Sequence, residues 1–411
     1  MTNQAAASSP LAGDPRFSGL LEAAHALQPK TVALRRQLHQ NPEQGLELPL
    51  TQAAVLSSLA DLDLRVHTGD KVGSVIGVLE GARPGPTVLL RGDMDALPLQ
   101  EDTGLEYSSQ VEGSMHACGH DTHVAMLASA ARLLTDRRDQ LAGTVVFMFQ
   151  PGEEGHYGAK FMLDEGLLDV TDRPVDQALA LHITSKETSG VLRCRPGPIM
   201  ASANSFTITV TGKGGHASNP SDAVDPVPAA AAMVGALQTV VTRRISVFEP
   251  TVVTISRITA GTTSNIIPET AELEGTLRAL SEASRATMLA EIPKVCAQIA
   301  AAHGCTTTFT VDAGYPVTIN DDDVAARVHD IGRAALGAGH VNPMTHPLMG
   351  AEDWSYVLQR VPGAMAFLGA CPPGVDPADA APNHSNRVHF DESALPHGVS
   401  TYAAFALDVL R

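Results

Sequence analysis

Five short stretches of this 411-residue chain carry side chains that could hold cations or move protons. In Met115-His116-Ala117-Cys118-Gly119-His120-Asp121-Thr122-His123, Cys118 and His120 stand two apart, so an extended backbone aims both to one side. Thiolate and imidazole are natural ligands for zinc and similar divalent ions. Asp121 and the extra histidines suit orienting roles around such ligands, although a buried cysteine beside a hydrogen-bonded histidine is the plainer alternative. Gln150-Pro151-Gly152-Glu153-Glu154-Gly155 places adjacent carboxylates after the most apolar run, where burial is costly without a cation. Neighbours in an extended segment face opposite sides, so one carboxylate could bind metal while the other meets substrate as a base. A solvated acidic turn accounts for the same residues. His182 follows Ala178–Leu181, and a lone histidine there is usually structural. Arg91-Gly92-Asp93-Met94-Asp95-Ala96-Leu97-Pro98 offers two acids that either support ligands or cap a turn. Pro382-Asn383-His384-Ser385-Asn386 completes the set. All five fall at strand exits or in loops, where α/β sheets place their sites.

The elements that must position them read as follows. Residues 20–38 are apolar at helical spacing, and Asn41-Pro42 stops that helix. Apolar runs at 72–79, 87–90, 144–149 and 178–181 suit strands buried on both faces of a mostly parallel sheet, with an amphipathic helix over 124–134 among them. The middle of the chain differs: strand 205–211, helix 227–241, strands 251–258 and 271–277, helix 284–302, strand 306–311. That order is a ferredoxin-like split unit. The expectation is an α/β domain (1–199 and 316–411) interrupted by an α+β insert (200–315).

Composition narrows the function classes. A chain of this length calls for two domains. Its formal charge of −17 and aromatic content of 4% argue against nucleic acid, and Arg193, Arg195, Arg243 and Arg244 read as ordinary surface charges. Five scattered cysteines do not make a disulfide framework. The first fifteen or so residues read as a loose arm without a signal-type pattern, and no stretch is apolar enough to span a bilayer. The expectation is a cytoplasmic protein with no membrane or nucleic-acid partner.

Together the motifs resemble the aminoacylase and hippurate-hydrolase-like amidohydrolases, relatives of the zinc carboxypeptidases. The matching segments are RGDMDALP from Arg91, MHACGHDTH from Met115, QPGEEG from Gln150, Leu181-His182, GKGGHASNP from Gly212, TSNIIPE from Thr263, MGAEDWS from Met349 and NHSNRVHF from Asn383. They keep the family's order over nearly the whole chain after about residue 30. The resemblance implies a metallopeptidase-like domain carrying an inserted lid. It implies two divalent ions, Zn2+ or Mn2+ with Co2+ or Ni2+ as further candidates, held by Cys118, His120, Glu154, His182 and His384, with Cys118 bridging. It makes Glu153 the general base and Asp95 a support of the ligand shell. His216, Asn265 and Arg278 become lid residues that approach substrate, and a homodimer through the lid is implied as well. His116, His123 and His156 read as orienting or pocket-lining residues, and Glu352 and Asp353 either edge the site or start a solvated helix. Two departures bear on pocket shape: Ile183-Thr184-Ser185 stand where a proline is common, and Trp354 where phenylalanine is.

The implied reaction is hydrolysis of the amide of an N-acyl amino acid, of hippurate or N-acetyl type, by water that a metal ion has acidified to hydroxide. Glu153 takes the proton, His216 donates to the oxyanion, and Arg278 with Asn265 grips the substrate carboxylate. A metallo-carboxypeptidase or dipeptidase is the alternative on the same scaffold; Cys118, where those relatives carry aspartate, favours the amidohydrolase. A non-catalytic binding protein is a third reading, which intact ligand and base positions disfavour.

Overall fold

The computed structural model describes residues 11–411, and the arm before residue 11 lies outside them. The arm's last residues are not loose. Asp14 caps a short turn over Pro15–Phe17, and Arg16 pairs with Asp408 at 3.3 Å.

The chain divides into two compact units, described in turn. The first opens with α1 (Leu20–Gln40), ended by Asn41-Pro42, and α2 (Pro49–Leu59), whose first residue is a proline suited to that position. β1 (Arg65–Thr68), β2 (Val75–Glu80), β3 (Arg83–Asp93), α3 (His120–Thr135), β4 (Ala142–Gln150), β5 (Gln177–Thr184) and β6 (Leu192–Arg193) follow. The second unit supplies β7 (Asn204–Thr211), α4 (Pro226–Arg244), β8 (Thr251–Ala260), β9 (Thr270–Ala279), α5 (Glu282–Ala302) and β10 (Thr306–Asp312). The chain then returns to the first unit through α6 (Asp322–Leu336), β11 (Gly363–Gly369) and α7 (Leu395–Val409).

The first unit is built on a seven-stranded sheet in the order β1-β2-β4-β3-β5-β11-β6. Its centre, β4-β3-β5-β11, is parallel, and antiparallel pairings close both edges. Every residue of β11 is buried, as two-sided cover requires. α1, α3 and α7 pack on one another and share the core with the inner strands. Two strands outrun their apolar runs. β3 continues to Asp93, and β5 continues to Thr184, so His182 stands inside a strand opposite Phe367 and not after it. The backbone ladder with β11 sets that length, whatever the side chains' polarity.

The second unit is an antiparallel four-stranded sheet, β8-β9-β7-β10, with α4 and α5 packed on it in ferredoxin-like order. Alternate residues of β7 and β9 face the helices and form the core with Met233, Leu237, Met288 and Ile292. The boundaries differ from the expected ones. The unit runs to Thr318 and also takes in Pro347–Ser355, a segment expected to belong wholly to the α/β domain. Backbone bonding explains this, because Ala201 N–H donates to Leu348 O (3.0 Å) and Gly350 O (2.9 Å).

Candidate active site

The site in the first unit forms where α3 starts against β5. Gly119 has φ of 93°, and a Cβ there would lie 2.4 Å from Cγ2 of Ile183. Only glycine fits both demands, so the turn presses Cys118 and His120 onto the strand that carries His182. Cys118 Sγ lies 3.3 Å from His182 Nε2 and 3.3 Å from His384 Nε2. His120 Nδ1 donates to the Asp95 carbonyl (2.8 Å), and His182 Nδ1 donates to the Ile183 carbonyl (2.7 Å). Both rings therefore keep Nε2 for the cluster. His384 adopts φ of 68° in a loop stitched to the same turn: its N–H donates to Ala117 O (2.9 Å), and Asn383 Nδ2 donates to Cys118 O (2.9 Å) and Ile183 O (3.0 Å). The adjacent carboxylates after β4 are placed by Asp95, whose oxygens accept from Glu153 N–H (2.9 Å) and Glu154 N–H (3.0 Å). Glu153 is 6% exposed, which removes the solvated-turn reading for it.

Two sets of donor atoms result, Cys118/His120/His182 and Cys118/Glu154/His384, each with its atoms within 4.8 Å of one another. The sulfur of Cys118 is common to both. Electrostatics mark the place as one for cations. Hydrogen bonds to Cys118 and Glu154 push His384 up to about 10. Burial alone would raise the Glu154 carboxyl, but His384 and His120 hold it below its ordinary value. Burial raises the Cys118 thiol and takes His182 well below its usual value, so that ring is a neutral lone-pair donor. His120 Nε2 and Glu154 Oε1 are buried without a well-directed hydrogen bond among the described residues. One sulfur, three imidazole nitrogens and a carboxylate, crowded together with two of the five atoms lacking a well-directed hydrogen bond, fit divalent cations. Under a metal the thiol would be a thiolate.

A second ligand-rich group fits less well. Asp93, His120 and His123 also converge, but His123 has both nitrogens committed: Nδ1 to Asp93 Oδ1 (2.5 Å) and Nε2 to Ile183 N–H (2.7 Å). His116 is buried with neither ring nitrogen hydrogen-bonded among the described residues, and burial drops its pKa to about 4. His156 is exposed. Sequence reasoning missed Arg35 and His39, which hold Asp121 Oδ2 at 2.7 and 2.8 Å at the first turn of α3. The available signal was an arginine sharing the buried stripe of α1 with Thr31 and Leu38. Glu352 (1% exposed) and Asp353 (0%) are buried, which corrects the solvated-helix alternative; the Trp354 N–H donates to Glu352 Oε1.

His216, Asn265 and Arg278 belong to the second unit. Residues 215–216 pair with 266–267, and Ala217 N–H donates to Asn265 O (3.1 Å), so His216 and Asn265 are neighbours. Ser218 N–H donates to His216 Nδ1 (3.1 Å), which leaves the ring proton on Nε2. The Thr263 hydroxyl donates to Asn265 Oδ1, which leaves the amide NH2 to give. Arg278 lies apart from that ladder, on β9 opposite Val252, half-buried and with no side-chain hydrogen bond or ion pair among the described residues.

The fold and these paired donor sets define a metal-dependent hydrolase. The chain belongs to peptidase family M20/M25/M40, whose model matches residues 89–408. It is 38% identical over 383 residues to thermostable carboxypeptidase 2 of Saccharolobus solfataricus, covering 92% of this chain and 94% of the relative. It is 36% identical to IAA-amino acid hydrolase ILR1-like 2 of Arabidopsis thaliana (92% and 85% covered) and 34% identical to an N-acetylcysteine deacetylase of Bacillus subtilis (94% and 98%). Among solved structures it resembles a putative aminohydrolase from methicillin resistant Staphylococcus aureus (TM-score 0.89, 34% identity, 95% and 99% covered). It also resembles a dinuclear metal binding peptidase from Bacillus subtilis (TM-score 0.81, 30% identity, 94% and 99% covered). The protein is a hydrolytic enzyme that acts on amide bonds. No helix among the described residues is long and apolar enough to cross a membrane.

Proposed function

We propose that the enzyme hydrolyses the amide bond of N-acyl amino acids. The observation that carries this reading is the sharing of Cys118 by two donor sets beside Glu153. Cys118, His120 and His182 would hold one divalent ion, and Cys118, Glu154 and His384 the other. When bound, the pair would supply Lewis acidity, making water acidic near neutral pH and polarising the amide carbonyl. Glu153, fixed through its backbone by Asp95, takes a proton from the attacking water and returns it to the departing amine nitrogen. His216 carries its proton on Nε2 and so suits donation to the developing oxyanion. The Asn265 amide and the Arg278 guanidinium, a half-buried cation lacking an anion, suit the substrate's free carboxylate.

Relatives named for hydrolysis of an amino-acid conjugate and for deacetylation support this substrate class. The carboxypeptidase relative, at slightly higher identity, favours the second reading, cleavage of a C-terminal residue or a dipeptide by the same machinery. Zinc or manganese fits a thiolate, imidazole and carboxylate set, with cobalt or nickel as substitutes. The second unit is proposed as a lid and dimerisation domain: β8 is an edge strand, and Val247 and Phe248 before it are 87% and 90% exposed. All five cysteines are free and buried, which supports a reducing, cytoplasmic setting.

Metal-reconstituted apoprotein assayed with hippurate, N-acetyl amino acids and dipeptides side by side tests the substrate class, and preference for dipeptides with a free α-amino group would reverse it. Glu153→Gln is expected to abolish turnover while keeping metal content. Wild-type rates in that variant would remove Glu153 as the base.

A further inference from the structure

β3 and β5 pair from Val88↔Gln177 to Arg91↔Ala180, and there their ladder stops. Side chains then bridge the two strands. The Tyr402 hydroxyl, from α7, donates to Arg91 O (2.5 Å) and accepts from Leu181 N–H (3.1 Å). One step further, His123 of α3 accepts from Ile183 N–H through Nε2 (2.7 Å) and donates through Nδ1 to Asp93 Oδ1 (2.5 Å). A backbone N–H can only donate, so the ring proton must sit on Nδ1. Burial lowers the pKa of this imidazole, consistent with a neutral ring. Asp93, His123 and Tyr402 are all 0% exposed. The strands are thus wedged apart by a phenol and then an imidazole, and His182, the residue before Ile183, stands on the displaced wall.

We propose that His123, oriented by Asp93, is a positioning residue that sets the β5 wall and thereby the half-site of Cys118, His120 and His182. This rests on the reading of His182 as a metal ligand. The other half-site has supports of its own, Asp95 beneath Glu154 and Ala117 beneath His384. Asp93 fixes the tautomer because its second oxygen, Oδ2, lies 2.8 Å from Arg91 Nη1. In Asp93→Asn the guanidinium claims the amide oxygen, so the NH2 faces His123 Nδ1. The ring proton then moves to Nε2, where it meets Ile183 N–H, donor against donor. His123→Gln reaches as many bonds from Cβ as Nε2 does and keeps an acceptor for Ile183. His123→Asn reaches only as far as Nδ1 and cannot.

The test uses full-length wild type, H123Q, H123N and D93N, each stripped of metal and titrated with Zn2+ against a chromophoric chelator. Urea unfolding and near-UV circular dichroism establish that each variant is folded. Asp93 Oδ2 also lies 3.2 Å from His120 Nε2, so should H123N not fold, D93N carries the comparison only with its affinity loss read together with the shift of the His123 proton. Wild type is expected to bind two ions. H123N and D93N should bind one as wild type does and the other about 10- to 100-fold more weakly, the usual cost of losing an outer-sphere partner. H123Q should recover most of the loss, and 15N-histidine spectra of D93N should show the His123 proton on Nε2. Two unchanged affinities in H123N overturn the proposal, and so does equal weakening of both ions, which marks a general structural role. A wild type that binds fewer than two ions overturns the underlying reading of the metal site, and this proposal with it.

Discussion

Asp95→Asn is the sharpest test of how the adjacent carboxylates are held. Asp95 is 1% exposed, and its two oxygens accept from Glu153 N–H at 2.9 Å and Glu154 N–H at 3.0 Å. Asparagine keeps the shape but turns one acceptor into an NH2 that faces an N–H. A hydrogen bond to a charged group contributes about 1.5–3 kcal/mol, and a buried donor left without a partner costs about 1–3 kcal/mol; these describe one event and are not summed, so the loop geometry loses about 2–3 kcal/mol. The equilibrium constant for holding Glu153 and Glu154 in place then falls roughly 30- to 150-fold, which is the upper bound on the fall in correctly placed molecules. The assay is kcat/KM on an N-acyl amino acid with metal-saturated enzyme, alongside urea unfolding. A fall in kcat/KM of roughly tenfold up to that bound, with at most the same 2–3 kcal/mol lost in unfolding, is expected. Activity within about threefold of wild type would refute the argument, because the loop would then be held by something other than this carboxylate.

Cys118→Ala is expected to abolish binding of both ions, since its sulfur belongs to both donor sets, whereas His182→Ala or His384→Ala should remove one each; retention of two ions by C118A, read as the metal-to-protein ratio, would refute the shared sulfur. Gly119→Ala combines a strained φ of 93° with a Cβ 2.4 Å from Ile183, so a loss of about 2–4 kcal/mol in urea unfolding is expected, and an unchanged midpoint would show that the turn can move. Burial would raise the Glu101 carboxyl, but His39, Thr103 and Ser109 N–H hold it at about 2. Its stabilisation is present above the unfolded value of 4.5 and lost as pH falls toward 2. His39 runs the other way: burial lowers it and Asp121 raises it above 6.5, so its contribution is complete below 6.5 and lost as pH rises through the higher folded value. Apoprotein carrying Glu101→Gln should therefore lose less stability than wild type between about pH 5 and pH 3, and an identical pH slope would refute the assignment.

The kinds of atom at this site, and the elements that bear them, were readable in one dimension. Apolar runs marked the inner strands, because a strand covered on both faces has no polar positions to spare. Alternation in residues 205–211 marked a half-covered strand, and the insert's element order followed from the same periodicities. Cys118, His120, Glu153, Glu154, His182 and His384 were each ambiguous alone, and it was the resemblance to the aminoacylase-like amidohydrolases, motif by motif, that singled them out. What sequence could not assign was the use of each nitrogen and oxygen. His120 and His123 lie three apart at the start of one helix, yet His120 Nε2 faces the cluster while His123 is spent on Asp93 and Ile183. Asp95 could have capped a turn; its partners lie 58 and 59 residues away. The Arg35–Asp121 pair spans 86 residues, and the return of residues 347–355 to the second unit depends on bonds to Ala201. Residue type fixes what a side chain can donate or accept, but only the packed chain brings in the distant backbone groups that consume one valence and leave another free.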